Sequence, residues 1–183
     1  MALALLVLLA PLMICIAIVI RATSSGPALF RQQRTGLNGK VFQILKFRTM
    51  RVMEDGPLRA ARRDDERVTP AGSILRRSSL DELPQLLNVL RGEMSLVGPR
   101  PHALAHDELF VSIAPEYPDR FQARPGLTGL AQISGFRGEI RTPECLSGRL
   151  EADLRYVRDW TPLLDLRILA VTAAIVWRDQ KAY

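Results

Sequence analysis

Ser78-Ser79-Leu80-Asp81-Glu82-Leu83-Pro84-Gln85 sets two adjacent carboxylates directly behind Arg76 and Arg77. Pro84 has no N–H to donate, so it suits the first turn of a helix and not its interior. The stretch therefore predicts a helix opening near Asp81, carried by the apolar stripe Leu83, Leu86, Leu87 and Leu90 and stopped at Gly92. Asp81 and Glu82 then fall at the positive end of a helix dipole, where free backbone N–H groups favour anions and phosphates. A nucleophilic carboxylate, a metal ligand and a phosphate site can meet at such a point. An ordinary explanation competes. Ser79-x-x-Glu82 has the form of a capping box, and Asp is a good N-cap. On this stretch alone, capping is the commoner role for such residues.

The surrounding chain has 183 residues and a net charge of +6, which suits one domain with a real core. Its basic residues are nearly all arginine, lysine occurring only at Lys40, Lys46 and Lys181. Arginine suits bidentate contact with phosphate. The positive excess lies between Arg21 and Arg100, a face that fits anionic lipid, nucleotide or nucleic acid. Cys15 lies in an apolar run and Cys145 in a polar segment, so no disulfide framework is expected and a reducing compartment fits. His102 and His106 are the only histidines, and no Cys/His cluster has zinc spacing.

Residues 1–20 carry no charge. Twenty helical residues extend about 30 Å, enough to cross a bilayer core. Met1-Ala2-Leu3-Ala4 has no basic residue, which argues against a cleaved signal peptide, and the basic domain that follows has cytoplasmic character. Pro11 sits near the centre of the run and kinks a helix there. Two topologies follow from that kink: a span with Met1 outside, or a segment that turns back so that both ends lie on one face. The expected division is a membrane-inserted helix over 1–22 and a cytoplasmic domain over 23–183.

Further on, Thr35 to Lys40 reads as a hairpin turn and Val41 to Arg48 as a short strand. Asp55 to Asp65 is charge-dense and reads as a loop or a mobile helix, in either case a solvated segment. Gly72 to Arg77 leads into the dyad helix. Gly98-Pro99-Arg100-Pro101 is stiff, since two prolines fix φ around one arginine. His102 to Phe110 reads as a helix ended before Pro115. Arg124-Pro125-Gly126-Leu127-Thr128-Gly129 and Ser134-Gly135-Phe136-Arg137-Gly138 are two more arginine-bearing glycine or proline loops. Together with Arg76 and Arg77 these loops suggest a site for a polyanion. Leu150 to Trp160 reads as a charged helix. Leu163 to Trp177 is mostly apolar and about 22 Å long as a helix, too short to span comfortably. It fits either a buried core helix or an interfacial one with Trp160 and Trp177 at headgroup level.

The order of these motifs resembles the bacterial sugar transferase family, the monotopic phosphoglycosyl transferases. The resemblance rests on Phe30 to Gly36, on Lys46-Phe47-Arg48-Thr49-Met50, on Leu75 to Gln85, on Asn88 to Pro101 and on Arg124 to Gln132, and so covers nearly the whole chain. It shifts the reading of the dyad from capping to catalysis. The resemblance implies transfer of a sugar-1-phosphate from a UDP-sugar to undecaprenyl phosphate, giving the lipid-linked sugar diphosphate and UMP, as the first membrane step of a glycan. It implies Asp81 and Glu82 as catalytic residues. Asp81 would attack the phosphate nearer the sugar to form a covalent aspartyl-phosphosugar, with ping-pong kinetics, and Glu82 would be a ligand of Mg²⁺. Lys46, Arg48, Arg76, Arg77, Arg100, Arg124 and Arg137 are the expected substrate- and phosphate-binding positions.

The family's membrane segment is described as re-entrant with a Ser-Pro break. Here the pair is Ala10-Pro11. The segment from Arg137 to Trp160 looks most like members that transfer hexose phosphates. The expected architecture is α+β: a small helix-rich cytoplasmic domain with an N-terminal re-entrant membrane helix broken at Pro11 and interfacial amphipathic helices. It would sit on the cytoplasmic face of a bacterial inner membrane. The expected partners are a UDP-sugar, undecaprenyl phosphate and membrane lipids, with a homodimer as an option and no nucleic acid. The chemistry is coherent with this. Phosphoryl transfer needs in-line positioning and charge neutralisation, and Mg²⁺ takes one or two carboxylates plus phosphate oxygens. The rival readings are a membrane-anchored nucleic-acid binder, a non-catalytic scaffold and a glycosyl transferase that would release UDP. No base-stacking motif supports the first, and an intact Asp81-Glu82 argues against the second.

Overall fold

The computed structural model describes residues 1–51, 65–138, 140 and 142–178, the last three of these through their backbone alone. The expected solvated segment at 55–65 lies outside the described residues, except for Asp65. Helix α1 (Ala2–Thr23) is continuous through Pro11. It is followed by an antiparallel hairpin of β1 (Leu29–Thr35) and β2 (Val41–Phe47), with Leu29 opposite Phe47 and Thr35 opposite Val41. A 3-10 turn over Leu37–Gly39 closes it, with Asn38 and Gly39 at positive φ. The predicted hairpin and strand are both present.

Helix α2 (Pro70–Arg77) is a separate element. Thr69 caps it by accepting from the Gly72 N–H, and Pro70 opens it. The dyad follows in a 3-10 turn, Leu80–Glu82, and only then comes α3 (Gln85–Leu90). This corrects the expectation of a helix opening at Asp81. The Pro84 ring would meet the Leu80 carbonyl in an α-helix, so residues 80–83 wind as 3-10 and the α-helix begins after the proline. The helix stops at Leu90, with Gly92 at φ +75°.

Strands β3 (Ser95–Val97) and β4 (Gly126–Thr128) form a short parallel pair that the sequence did not suggest. Gly98 is indispensable beside it, because a Cβ there would lie 2.2 Å from the Arg124 carbonyl oxygen. Between the two strands lie α4 (Leu104–Ile113) and a 3-10 segment, Tyr117–Gln122. His102 thus precedes its expected helix. After β4 come α5 (Leu130–Ile133), α6 (Pro143–Asp159) and α7 (Pro162–Arg178). Helix α6 starts earlier than predicted because Thr142 caps it and Pro143 sits in its first turn.

Small clusters share the core. Ile16 and Ile20 of α1 pack with Phe47 and Leu75. Phe110, Tyr117, Leu146 and Leu150 form a second cluster, and Val97, Tyr156 and Ile168 a third. Helix α7 is therefore two-sided. Ile168 is fully buried, whereas Leu163 and Leu166 are 75% and 61% exposed. The side chain of Trp177 lies outside the described residues. Mixed helix and strand with one apolar N-terminal helix is the architecture observed.

Candidate active site

Glu82 is the electrostatic centre of the dyad. Lys46 Nζ on β2 lies 2.7 Å from Glu82 Oε1, and Arg100 forks onto both oxygens, NH2 at 2.5 Å and NH1 at 3.2 Å. The three residues come from a strand, a 3-10 turn and the loop after β3. Two features place the dyad. Ser79 takes φ +56°, a left-handed conformation that ends α2 and turns the chain before Asp81. It makes no side-chain cap bond, so the capping-box reading does not describe this turn. Asn88, fully buried on α3, accepts from Leu45 N–H and donates to the Gln43 carbonyl and to Glu93. It locks the segment behind the dyad to the strand that carries Lys46.

The two carboxylates are driven apart electrostatically. Burial raises Asp81, and the neighbouring Glu82 charge raises it further; Lys46, Arg100 and Arg76 oppose, leaving it pushed up to about 6. Burial also acts to raise Glu82, but Arg100 and Lys46 outweigh it and hold that carboxyl well below the usual range. Glu82 is held ionised while Asp81 is held above the ordinary carboxylate range. Pairs separated in this way are a mark of divided roles.

Of the expected binding residues, the structure brings Lys46, Arg76 and Arg100 to the dyad. Arg48 is buried elsewhere. Its guanidinium donates to the Ser24 and Ser25 carbonyls and to Ser24 Oγ, at the end of α1. Arg77, Arg124 and Arg137 have exposed side chains. Among the described residues, no hydrogen bond or ion pair joins these three to the dyad. Arg34 was not singled out by the sequence. Its NH1 donates to the Pro101 carbonyl at 3.3 Å, and burial together with Arg100 pushes it down to about 10. It therefore adds half-buried positive charge beside the Arg100 loop.

Among the described residues, no group of three or more His, Cys, Asp or Glu side chains converges as a protein cage for a metal. Mg²⁺ characteristically takes one or two protein carboxylates together with phosphate oxygens and water. Glu82 has the matching character: ionised, oxygen-only, and held on one oxygen by a longer 3.2 Å contact.

The family model described as bacterial sugar transferase matches residues 1–179. The chain is 55% identical over 177 residues to a UDP-glucose:undecaprenyl-phosphate glucose-1-phosphate transferase of Caulobacter vibrioides, covering 96% of this chain and 66% of that protein. It is 46% identical over 179 residues to the protein of the same name from Escherichia coli, covering 97% of this chain and 39% of that one. An exopolysaccharide production protein, PSS, of Rhizobium leguminosarum bv. phaseoli is 44% identical over 169 residues, with 90% of this chain and 84% of that protein covered. The chain thus spans just under two thirds of the first of these relatives and about two fifths of the second.

Proposed function

Since the chain belongs to the bacterial sugar transferase family, we propose that it transfers a sugar-1-phosphate from a UDP-sugar to undecaprenyl phosphate, releasing UMP, as the first membrane step of an exopolysaccharide or related glycan. The relatives named for glucose-1-phosphate transfer make UDP-glucose the donor of choice. The observation that carries the reading is the Asp81–Glu82 dyad, with Glu82 clamped between Lys46 and Arg100 and Asp81 beside it, its carboxyl pushed up by burial and by the Glu82 charge. An ionisable carboxylate beside convergent cations is the arrangement that nucleophilic phosphoryl transfer needs.

In the first step an Asp81 carboxylate oxygen attacks the phosphorus that bears the sugar. A new O–P bond forms, the bridging P–O bond breaks, and UMP leaves with that electron pair. In the second step a phosphate oxygen of the polyprenyl acceptor attacks the same phosphorus, and the Asp81 carboxylate is released unchanged. Lys46, Arg76 and Arg100 neutralise the phosphate charge that develops. Glu82 would hold Mg²⁺, which when bound supplies further neutralisation and orients the diphosphate. Arg77, at the end of α2, and Arg124 and Arg137, on loops, have exposed side chains free to meet a bound diphosphate or lipid phosphate.

The same reading seats the molecule in the cytoplasmic leaflet of the inner membrane. Helix α1 is long and apolar enough to cross a membrane, and Trp160, Leu163 and Leu166 expose a further apolar edge. We favour a re-entrant path, with 1–22 as the membrane-inserted segment, Pro11 as the place where the otherwise continuous helix would bend in lipid, and the catalytic domain over 23–183. Protease protection of an N-terminal tag in spheroplasts tests it: a tag cleaved from outside overturns the re-entrant path.

The deciding experiment measures UMP release from UDP-sugars with Mg²⁺ and undecaprenyl phosphate, for the wild type and Asp81→Asn. Expected are release that requires Mg²⁺ and loss of turnover by three or more orders of magnitude in the variant, on the order of what removing a nucleophile costs. Without acceptor, wild type should release a single equivalent of UMP and retain labelled sugar phosphate on the protein. Turnover by Asp81→Asn within tenfold of wild type, or release of UDP instead of UMP, overturns the reading.

A further inference from the structure

We propose that Arg149 and Asp153, one turn apart on the buried face of α6, are positioning residues that hold two arginine loops of the site, one bearing Arg100 and the other Arg137, in register with the Asp81–Glu82 dyad. The inference rests on the function proposed above and extends it to residues that touch neither the dyad nor a phosphate.

Two chains of hydrogen bonds run outward from α6. Along the first, Asp153 Oδ2 accepts from Arg120 Nε at 3.0 Å and NH2 at 2.6 Å. Arg120 is 2% exposed, and its NH2 also donates to the Arg100 carbonyl at 2.6 Å. Arg100 in turn forks onto Glu82. Along the second, Arg149 NH2 donates to the Phe136 carbonyl at 2.5 Å and to the Gly138 carbonyl at 2.8 Å. Those are the peptide oxygens on either side of Arg137. Arg149 NH1 lies 3.2 Å from His102 Nε2, two residues past Arg100. One guanidinium therefore brackets both loops.

The shorter contacts assign the histidine tautomer, with Arg120 NH1, 3.4 Å from Nδ1, donating to Tyr117 OH at 3.1 Å instead. Tyr117 OH donates to Asp107 Oδ1 at 2.6 Å and lies 2.6 Å from His102 Nδ1, so it accepts from Nδ1–H. That leaves Nε2 as the acceptor for Arg149.

Arg149 and Asp153 occupy core register, on the same face as Leu146, Leu150 and Tyr156. Apolar side chains of similar volume would fill that space without the desolvation cost of buried charge. What the two ionic residues add is directional bonding to loop carbonyls. An unanchored loop samples many conformers, whereas a pre-placed cation meets the diphosphate without reorganising.

The test is a kinetic split. Arg149→Lys keeps the charge and loses the fork. It should raise KM for the UDP-sugar roughly tenfold with little change in kcat, an effect of loop misplacement within the range known for small positional errors. The Arg149→Lys, Arg137→Ala double variant should lose less than the two single effects combined, since the bonds to the Phe136 and Gly138 carbonyls act through Arg137 and only the His102 contact acts elsewhere. Asp153→Asn should instead lower kcat, because its chain ends on Glu82. Tryptic cleavage after Arg137 reads the loop without any turnover and should quicken in Arg149→Lys.

If Arg149→Lys does not fold, Gly148→Ala perturbs the same loop from outside. A Cβ there would stand 2.5 Å from the Phe136 ring, and the same rise in KM and the same non-additivity are expected. Unchanged KM and cleavage rate, full additivity with Arg137→Ala, or equal losses of kcat and KM that merely follow a lowered melting temperature overturn the proposal. Absence of UMP from the wild type would instead refute the proposed function, and the cleavage assay would still decide the positioning role.

Discussion

His102 sits among four guanidiniums, those of Arg120, Arg149, Arg100 and Arg34, with Tyr117 and, 4.0 Å away, Asp107 as its other polar neighbours. Burial first, then those positive charges, hold it well below its ordinary value of 6.5. The sign follows. As pH falls through 6.5 the unfolded chain takes up a proton that the folded protein refuses, so stability falls with acidification. The slope from this one group approaches at most about 1.4 kcal/mol per pH unit. Melting temperatures at pH 7.5 and 5.5 should show a smaller loss in His102→Gln than in wild type, and equal losses would sink the assignment. Ser79 carries another residue-scale prediction. Its φ of +56° costs a β-branched residue more than it costs serine, and suits glycine. Ser79→Gly should melt at or above wild type, and Ser79→Val should lose about 1–2 kcal/mol. The opposite order would mean that the hydroxyl, not the backbone, matters here.

At the scale of elements, the dyad turn is held from behind by α3, and α3 is held by Asn88. Replacing Asn88 with Ala leaves the Leu45 N–H and Gln43 carbonyl without their side-chain partner in the interior. That should cost about 3 kcal/mol and lower turnover, with Lys46 losing its alignment to Glu82; a melting temperature within a degree of wild type would show that α3 is held by other means. Elements with local signals were legible in the sequence: the hairpin through its turn residues, α3 through its leucine stripe and glycine stop, and α7 through its apolar run. The dyad turn was misplaced by a few residues, because proline at the first helical turn and proline just before a helix share one local signature. The β3–β4 pair was not legible at all. Three-residue parallel strands separated by two other elements carry no local periodicity. In the site, Asp81, Glu82, Lys46 and Arg100 stood out by motif. Arg34, Arg120, Arg149 and Asp153 did not, although α6 held a usable clue: Arg149 and Asp153 interrupt the register of Leu146, Leu150 and Tyr156. Charged residues in core register have a reason to be there, and only the folded chain names their partners.

For the whole molecule, α1 is both an apolar helix with exposed side chains and part of the core. Leu3, Val7 and Leu8 are more than half exposed, while Ile16 and Ile20 are buried against Phe47 and Leu75. Arg48, next to the strand that carries Lys46, binds the carbonyls of Ser24 and Ser25 where α1 ends. The apolar helix and the framework that carries the dyad are therefore one packed unit, and the join runs through the C-terminal half of the helix. Truncation in that half should not yield a soluble enzyme. Ile20→Ala empties a site 2% exposed and should cost about 2–4 kcal/mol in detergent, with turnover falling as Phe47 and the adjacent Lys46 lose support. Leu8→Ala, at a position 74% exposed, should leave the melting temperature unchanged and only weaken retention in membranes. A protein lacking residues 1–24 should aggregate, since it bares the apolar face of Phe47 and Leu75 and takes from the Arg48 guanidinium both of its Ser24 acceptors, leaving only the Ser25 carbonyl. The measurement is sedimentation and UMP release of that truncated protein beside the two point variants. A monodisperse, active truncation would mean that the helix is only a tether, and that the dyad's geometry is complete without it.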